Sequence, residues 1–291
     1  LAGRLRGLAM IREQGPEDQT EIEAILTQQI DQAMFPLSSL RIHGLKSGDF
    51  ASPHEHSLRI WRLGDSLVAL TRAGMLMPYL DAAPDLSDLH RALAGRTLTG
   101  IISPATSARP VIAALGLDRL PANVDRDEPG FALDLARLVP PDTPDLTLIR
   151  PDRTHGSLLA DWRASYLAEV MGTPADEARA KAAADIDSYL ARNSHRLLLH
   201  HGSPVALTGF NAILPEIVQI GGVYTPPGLR GRGHARGAVA LHLAEARASG
   251  ATRAVLFAAS DAAARAYRAI GFQRAQDFTL FLLATPVVIA G

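Results

Sequence analysis

Cysteine is absent from the 291 residues. That excludes disulfides, cysteine-ligated zinc, iron–sulfur clusters and a thiol nucleophile. Lysine is almost absent as well: Lys46 and Lys181 stand against 27 arginines, a bias that fits overall composition better than a basic binding surface. No uncharged apolar run reaches the roughly 18 residues that span a bilayer. The longest candidate, Phe278 to Gly291, is shorter and contains Pro286. No charged n-region, apolar h-region and cleavage site opens the sequence, so a cytoplasmic location without membrane contact is expected.

Apolar residues make up 47% and charged residues 20%, which excludes global disorder. A chain of this length predicts about two domains. The net charge of −1 leaves no general nucleic-acid footprint. The charge is divided unevenly, however. Residues 1–145 carry 14 basic and 19 acidic side chains, and residues 146–291 carry 15 and 11. An anionic ligand therefore favours the C-terminal half.

Three prolines fall within Pro140-Pro141-Asp142-Thr143-Pro144-Asp145, which denies the chain helix and ladder donors there. The expected organisation is a domain over 1–140, a linker at 141–145 and a domain over 146–291. In the first half, a helix is expected from Pro16 to Met34 and strands at Leu58–Leu63 and Ser66–Ala73, hinged at Gly64-Asp65. A helix at Asp85–Ala94, a strand at Thr97–Ile102, a helix at Ala108–Leu115 and a last strand at Phe131–Leu138 follow. In the second half, Leu159, Trp162, Tyr166 and Val170 lie on one helical face, and a second helix covers about Asp176 to Arg192. Strand signals at Arg196–His200, Pro204–Ile213 and Glu216–Thr225 precede a helix from Gly233 to Ala248. A strand at Arg253–Ala259, a helix capped by Ser260 or Asp261, and a final strand at Phe278–Leu283 complete the pattern. The class is α/β, with a mixed sheet.

The informative stretch is Val223-Tyr224-Thr225-Pro226-Pro227-Gly228-Leu229-Arg230-Gly231-Arg232-Gly233-His234-Ala235. It leaves a strand, turns at two prolines and enters a helix. Small residues at 231, 233 and 235 let a ligand approach the backbone closely. The first helical turn offers unpaired N–H groups and a favourable dipole, which together make a phosphate cradle. Arg230, Arg232 and Arg236 add positive charge.

About 25 residues later comes Ser260-Asp261-Ala262-Ala263-Ala264-Arg265-Ala266-Tyr267-Arg268-Ala269-Ile270-Gly271-Phe272. With both stretches in view the sequence resembles the GNAT superfamily of acyl-CoA N-acyltransferases. Arg230, Gly233 and Ala235 match its Gln/Arg-x-x-Gly-x-Gly/Ala loop, and Ala263, Tyr267, Gly271 and Phe272 match its second signature. The resemblance covers Arg196 to Leu283. It implies a C-terminal lobe whose central strands splay at a bulge, for which Gly221-Gly222 is the candidate site. It further implies that acetyl-CoA is held by Val223, Tyr224 and Thr225 along its pantetheine arm. The N–H groups of Leu229, Arg230, Gly231, Arg232, Gly233, His234 and Ala235 would hold its pyrophosphate. Ser260 and Ala263 would lie near the arm; Ser260 stands where the superfamily commonly has Asn. Tyr267 would protonate the departing thiolate. Glu216 is the candidate base for the amine proton, with Gln219 near the usual position of that base. The reaction implied is direct transfer of an acetyl group to a primary amine in a ternary complex.

The first half lacks such a loop, but Gly100-Ile101-Ile102-Ser103-Pro104 before a helix occupies a similar strand-to-helix position. It looks like a degenerate GNAT half, as in two-lobed tandem GNAT proteins. Two rival readings are a non-catalytic acyl-CoA-binding module and an NADP site built on Gly231-x-Gly233-x-x-x-Gly237. His54-Glu55-His56 and His200-His201 invite a metal, but no third ligand at fixed spacing accompanies either pair, so no metal is expected. Trp162 and Tyr166 are expected to pack helix against sheet. The acceptor amine, on a small molecule or a peptide, is not specified by the sequence, and neither is the choice between monomer and homodimer.

Overall fold

The structure is a computed structural model that describes residues 11–81, 84–142 and 145–291. The start of the expected first domain and Thr143-Pro144 of the expected linker lie outside the described residues. The chain divides into two compact units. One comprises Leu1–Asp127 and Asp277–Gly291; the other is Glu128–Gln276.

In the first unit the elements are β1 (Arg12–Glu13), α1 (Gln19–Gln28), α2 (Ile30–His43), β2 (Leu58–Leu63), β3 (Ser66–Thr71), β4 (Met75–Tyr79), α3 (Leu89–Ala92), β5 (Thr97–Pro104), α4 (Ala105–Ala114) and β6 (Ala122–Glu128). The second contains β7 (Gly130–Asp134), β8 (Leu146–Ile149), α5 (Gly156–Met171), α6 (Ala175–Arg192), β9 (His195–His200), β10 (Ser203–Ile213), β11 (Ile217–Tyr224), α7 (His234–Ala248), β12 (Arg253–Phe257), α8 (Asp261–Arg268) and β13 (Gln273–Arg274). The chain then returns to the first unit with β14 (Phe278–Val288).

The first sheet runs β1-β2-β3-β4-β5-β14-β6. Its hairpin at Gly64 falls where expected, with Gly64 at φ +60°. The helix expected over Pro16–Met34 is broken instead. It opens as a 3-10 turn at Pro16–Asp18, interrupts at Gln29 and kinks again at Ala33 before Pro36. A proline inside a helix removes a hydrogen bond and clashes with the preceding turn, so a kink upstream of Pro36 is its expected cost. The expected helix at Asp85–Ala94 contracts to Leu89–Ala92.

The second sheet runs β13-β7-β12-β11-β10-β9-β8. Only β11 and β12 pair in parallel among its described neighbours. Helices cover both faces. On one, α7 sets Val239, Ala240 and Leu243 against Phe131, Val218, Ile220 and Leu256. On the other, α5 and α6 set Leu159, Trp162 and Ile186 against Leu197, Leu207 and Tyr224. Each Val, Leu, Ile or Phe among them withdrawn from water contributes about 1.5–3 kcal/mol before entropy is counted.

The units do not part at 141–145. Phe131, expected in the last strand of the first half, lies in β7 between β12 and β13 of the second sheet. Phe278, expected in the final strand of the second half, begins β14 between β5 and β6 of the first. The two halves thus exchange terminal strands, and the chain passes between units at 127–128 and 276–277. Pro140 and Pro141 fall inside the second unit and not between the two units.

Candidate active site

Strand β11 is the axis of the site. Its parallel pairing with β12 covers only Ile217–Gln219 against Arg253–Val255. Beyond Gln219 the two strands part, and β11 continues to Tyr224 while β12 ends at Phe257. Against β10, the pairs Gly209–Gly221 and Leu207–Tyr224 enclose three steps on β11 for two on β10, a bulge. Gly222, at φ +63°, takes the left-handed conformation the bulge needs. One inserted residue reverses the side-chain alternation, so Tyr224 joins Leu207 on the α5/α6 face.

From Tyr224 the chain turns through Pro226 and a 3-10 turn at Pro227–Leu229. Gly231 (φ +77°) and Gly233 (φ +80°) bring it to the N-terminus of α7. A Cβ added at Gly228 or Gly231 would meet nothing within 4 Å, so the backbone here faces open space. Leu229 N–H and Arg230 N–H are taken by Pro226 O at 2.9 Å and Pro227 O at 3.2 Å, and Gly237 N–H donates to Gly233 O at 2.9 Å, which leaves the N–H groups between them as the donors available to a ligand. Arg232 is exposed beside them. Thr225 Oγ1 is buried without a partner. Open backbone, outward N–H groups and cationic side chains past a pair of diverging strands fit an elongated pyrophosphate ligand such as acetyl-CoA.

Arg230 is committed elsewhere. Its Nη2 donates to Glu169 Oε2 at 2.6 Å and its Nε to Thr225 O at 2.9 Å, while its guanidinium lies 5.7 Å from the Tyr224 ring centre. Tyr224 OH also donates to Glu169 Oε1 at 3.3 Å. This triad ties α5 to the end of β11. Glu169 escaped the sequence reading, although it lies seven residues after Trp162 and three after Tyr166, on the face those two define. Trp162 does pack on Tyr224, with ring centres 6.2 Å apart.

Tyr267 lies on α8, 7% exposed, edge-on to Phe272 at 6.0 Å. Burial raises its pKa above the usual phenol value, and Tyr166 and Glu128 push the same way. The phenol therefore keeps its proton through neutral pH, as a general acid must. Ser260 Oγ accepts from Ala263 N–H at 3.2 Å, so both residues are engaged in capping α8. Their side of the opening is where β12 leads into that helix.

Glu216 is not brought to this place. It precedes β11, where its carbonyl oxygen accepts from Thr252 N–H and Arg253 N–H at the closed end of the β11–β12 pair. Three residues of strand, roughly 10 Å at 3.3 Å per residue, separate it from Gln219, where the strands part, and eight, roughly 26 Å, from the loop. Gln219 is buried at the point of divergence, where its amide donates to Ile220 O at 2.7 Å. His195 was also missed. Its ring occupies the space that Gly209 leaves without a side chain, stacks on Tyr189 at 3.4 Å, and bonds Ser194 Oγ through Nδ1 at 2.9 Å. Burial, reinforced by Arg163, Arg192 and Arg196, holds its pKa down to about 3, so it is neutral.

The divided sheet, the bulge and the helix-capping loop define an α/β protein of acetyltransferase architecture. Residues 157–272 match the model of the acetyltransferase (GNAT) family. Several solved structures share the fold over nearly the whole chain. A GCN5-related N-acetyltransferase from Kribbella flavida superimposes with a TM-score of 0.56 at 16% identity, covering 90% of this chain and 95% of that one. A GCN5-related N-acetyltransferase from Sphaerobacter thermophilus gives 0.54 at 16%, covering 97% and 96%. A tandem GNAT protein from the clavulanic acid biosynthesis pathway gives 0.51 at 15%, covering 96% and 99%. At these identities the likeness establishes fold. No curated protein matches the chain. Among the described residues no helix is long and apolar enough to cross a membrane.

Proposed function

We infer that the protein is an acetyl-CoA-dependent N-acetyltransferase acting on a primary amine of a small molecule or peptide. The observation that carries this reading is the coincidence, in one unit, of the strand divergence after Gln219, the loop at 229–235 and a protonated, buried Tyr267. Acetyl-CoA bound there would supply an activated thioester carbonyl; attack by the amine nitrogen would form the amide bond, break the C–S bond and release CoA as a thiolate. The open end of β11, from Gly221 to Thr225, lines the arm of the donor and aligns it. The N–H groups of 231–235 hold its pyrophosphate, those of Leu229 and Arg230 being taken by Pro226 O and Pro227 O, and Arg232 adds charge. Tyr267 donates its phenolic proton to the thiolate. Holding both reactants in one opening supplies the proximity that direct transfer needs. The amine proton leaves through water at that opening, because Glu216 sits at the other end of the strand. Among its described residues the first unit has no loop of this kind, and it is assigned to shaping or oligomerisation, with no second donor site.

The absence of cysteine simplifies the test: every thiol released in the reaction comes from CoA. Acetyl-CoA and CoA are each expected to raise the melting temperature of the full chain, and Gly233→Glu is expected to abolish the shift. In an amine screen read by thiol release, Tyr267→Phe is expected to lower kcat by about 10²-fold or more, with the CoA-induced shift retained. Binding without turnover on any amine would identify a binding module. A shift with NADPH and none with CoA would overturn the reading.

A further inference from the structure

We propose that the second unit holds a divalent transition-metal site formed by Asp145, His200 and His201. The sequence offers only the adjacent pair of histidines; the fold supplies the rest. His201 and Gly202 form the two-residue turn between β9 and β10, closed by the His200–Ser203 pair, with φ +49° and +78°. Two positive φ values in succession are the signature of a tight hairpin of the primed type. In an extended strand, neighbouring side chains point to opposite faces. The turn cancels that alternation, and the two imidazole rings lie 4.2 Å apart. The antiparallel register of β8 and β9 sets Leu146 opposite His200, which delivers Asp145 to the same corner. His201 N–H donates to Asp145 O at 3.3 Å and fixes it there. One ligand atom from each of the three residues lies within 4.8 Å of the others.

Two imidazoles and a carboxylate suit zinc or a neighbouring first-row ion. Tetrahedral zinc needs ligand atoms about 3.4 Å apart, so small side-chain rotations complete the geometry. The His234 ring, 5.4 Å from that of His200, is within reach of a fourth position. The adjoining pocket, about 290 Å³, is lined by Asp145 and His200, with His201 outside its lining, and by Asp142, Arg232 and Arg236. With Asp145 included, its two carboxylates balance its two guanidinium groups, so a cation entering it meets no net repulsion. Arg232, Gly233 and His234 of this pocket also belong to the loop assigned to the donor's pyrophosphate, and metal binding is read without turnover, so the two readings are tested separately.

The test is calorimetric titration of the full, untagged chain with Zn2+ in a non-chelating buffer, followed by Co2+ with absorption in the visible. One equivalent per chain is expected, with a ligand-field band for Co2+. His200→Ala, Asp145→Asn and His201→Asn are each expected to weaken binding at least tenfold. His201→Asn keeps a residue that tolerates positive φ, so its loss cannot be ascribed to a broken turn. His54→Ala, at the other histidine cluster, is expected to change nothing. Absence of a saturable equivalent overturns the proposal, and so does affinity that survives in His201→Asn or falls in His54→Ala.

Discussion

At the scale of single residues, the histidines divide by burial. His195 and His242 are each 2% exposed, and burial is the largest cause lowering both pKa values, that of His195 to about 3. Partial burial lowers His43 and His234 in the same direction. His195 and His242 are neutral when folded, and all four groups bind protons less readily folded than unfolded below the ordinary imidazole value of 6.5. The unfolded state therefore binds more protons, and stability falls as pH drops through 6.5 towards the folded values. Each fully titrating histidine contributes a slope approaching 1.4 kcal/mol per pH unit, to order of magnitude. The perturbed carboxylates, among them Asp18 and Asp127, have pKa values lowered from 3.8 and contribute only below that. Between pH 6.5 and 4.5 the decline is thus a histidine effect. His242→Leu is expected to flatten the pH dependence of denaturant-unfolding free energy in that window. An unchanged slope would reassign it. None of this is legible in sequence, because the burial of His195 depends on Gly209 and Tyr189 from other elements.

At the scale of elements, the sequence foretells the loop and the helices that form the candidate site. Tyr267 and the glycine loop follow from local signals: a strand, a turn of prolines, positive-φ glycines and a capped helix. The bulge was legible as Gly221-Gly222, and Gly222 meets the conformational demand. Its consequence for Tyr224 was not legible, since a phase reversal shows only when the strand is laid beside its partner. The fate of Glu216 was hidden for a related reason: distance along a strand becomes distance from the ligand only once the point of divergence is known. The role of Gly222 can be measured. A Cβ there would lie 3.2 Å from His195 Nε2, and φ +63° is adverse for a branched side chain. Gly222→Asn is expected to cost less stability than Gly222→Val, the latter about 1–3 kcal/mol. Equal losses in thermal unfolding would show that crowding against His195, and not the backbone, sets the requirement.

At the scale of the whole chain, the linker rule failed because proline density reports on local backbone and carries no information about which sheet a strand joins. β7 and β14 are apolar strands whose composition suits either sheet. Their partners are chosen by pairing: β7 fills the place between β12 and β13, and β14 the place between β5 and β6. Removing an interior strand exposes two rows of ladder groups and the apolar faces beside them, a loss no edge residue can offset. A fragment cut at the prolines, residues 146–291, lacks β7 and carries β14 without its partners. A fragment of residues 128–276 keeps all seven strands of the second sheet. The longer-range pairing therefore predicts that 128–276 folds with a cooperative thermal transition, whereas 146–291 is insoluble or melts without one. If both fragments behaved alike, the exchanged strands would be dispensable ornaments on two locally determined cores. Cooperative folding confined to 128–276 would instead make Phe131 and Leu133 of β7, packed in the α7 core, constituents of the second unit despite preceding the proline-rich segment.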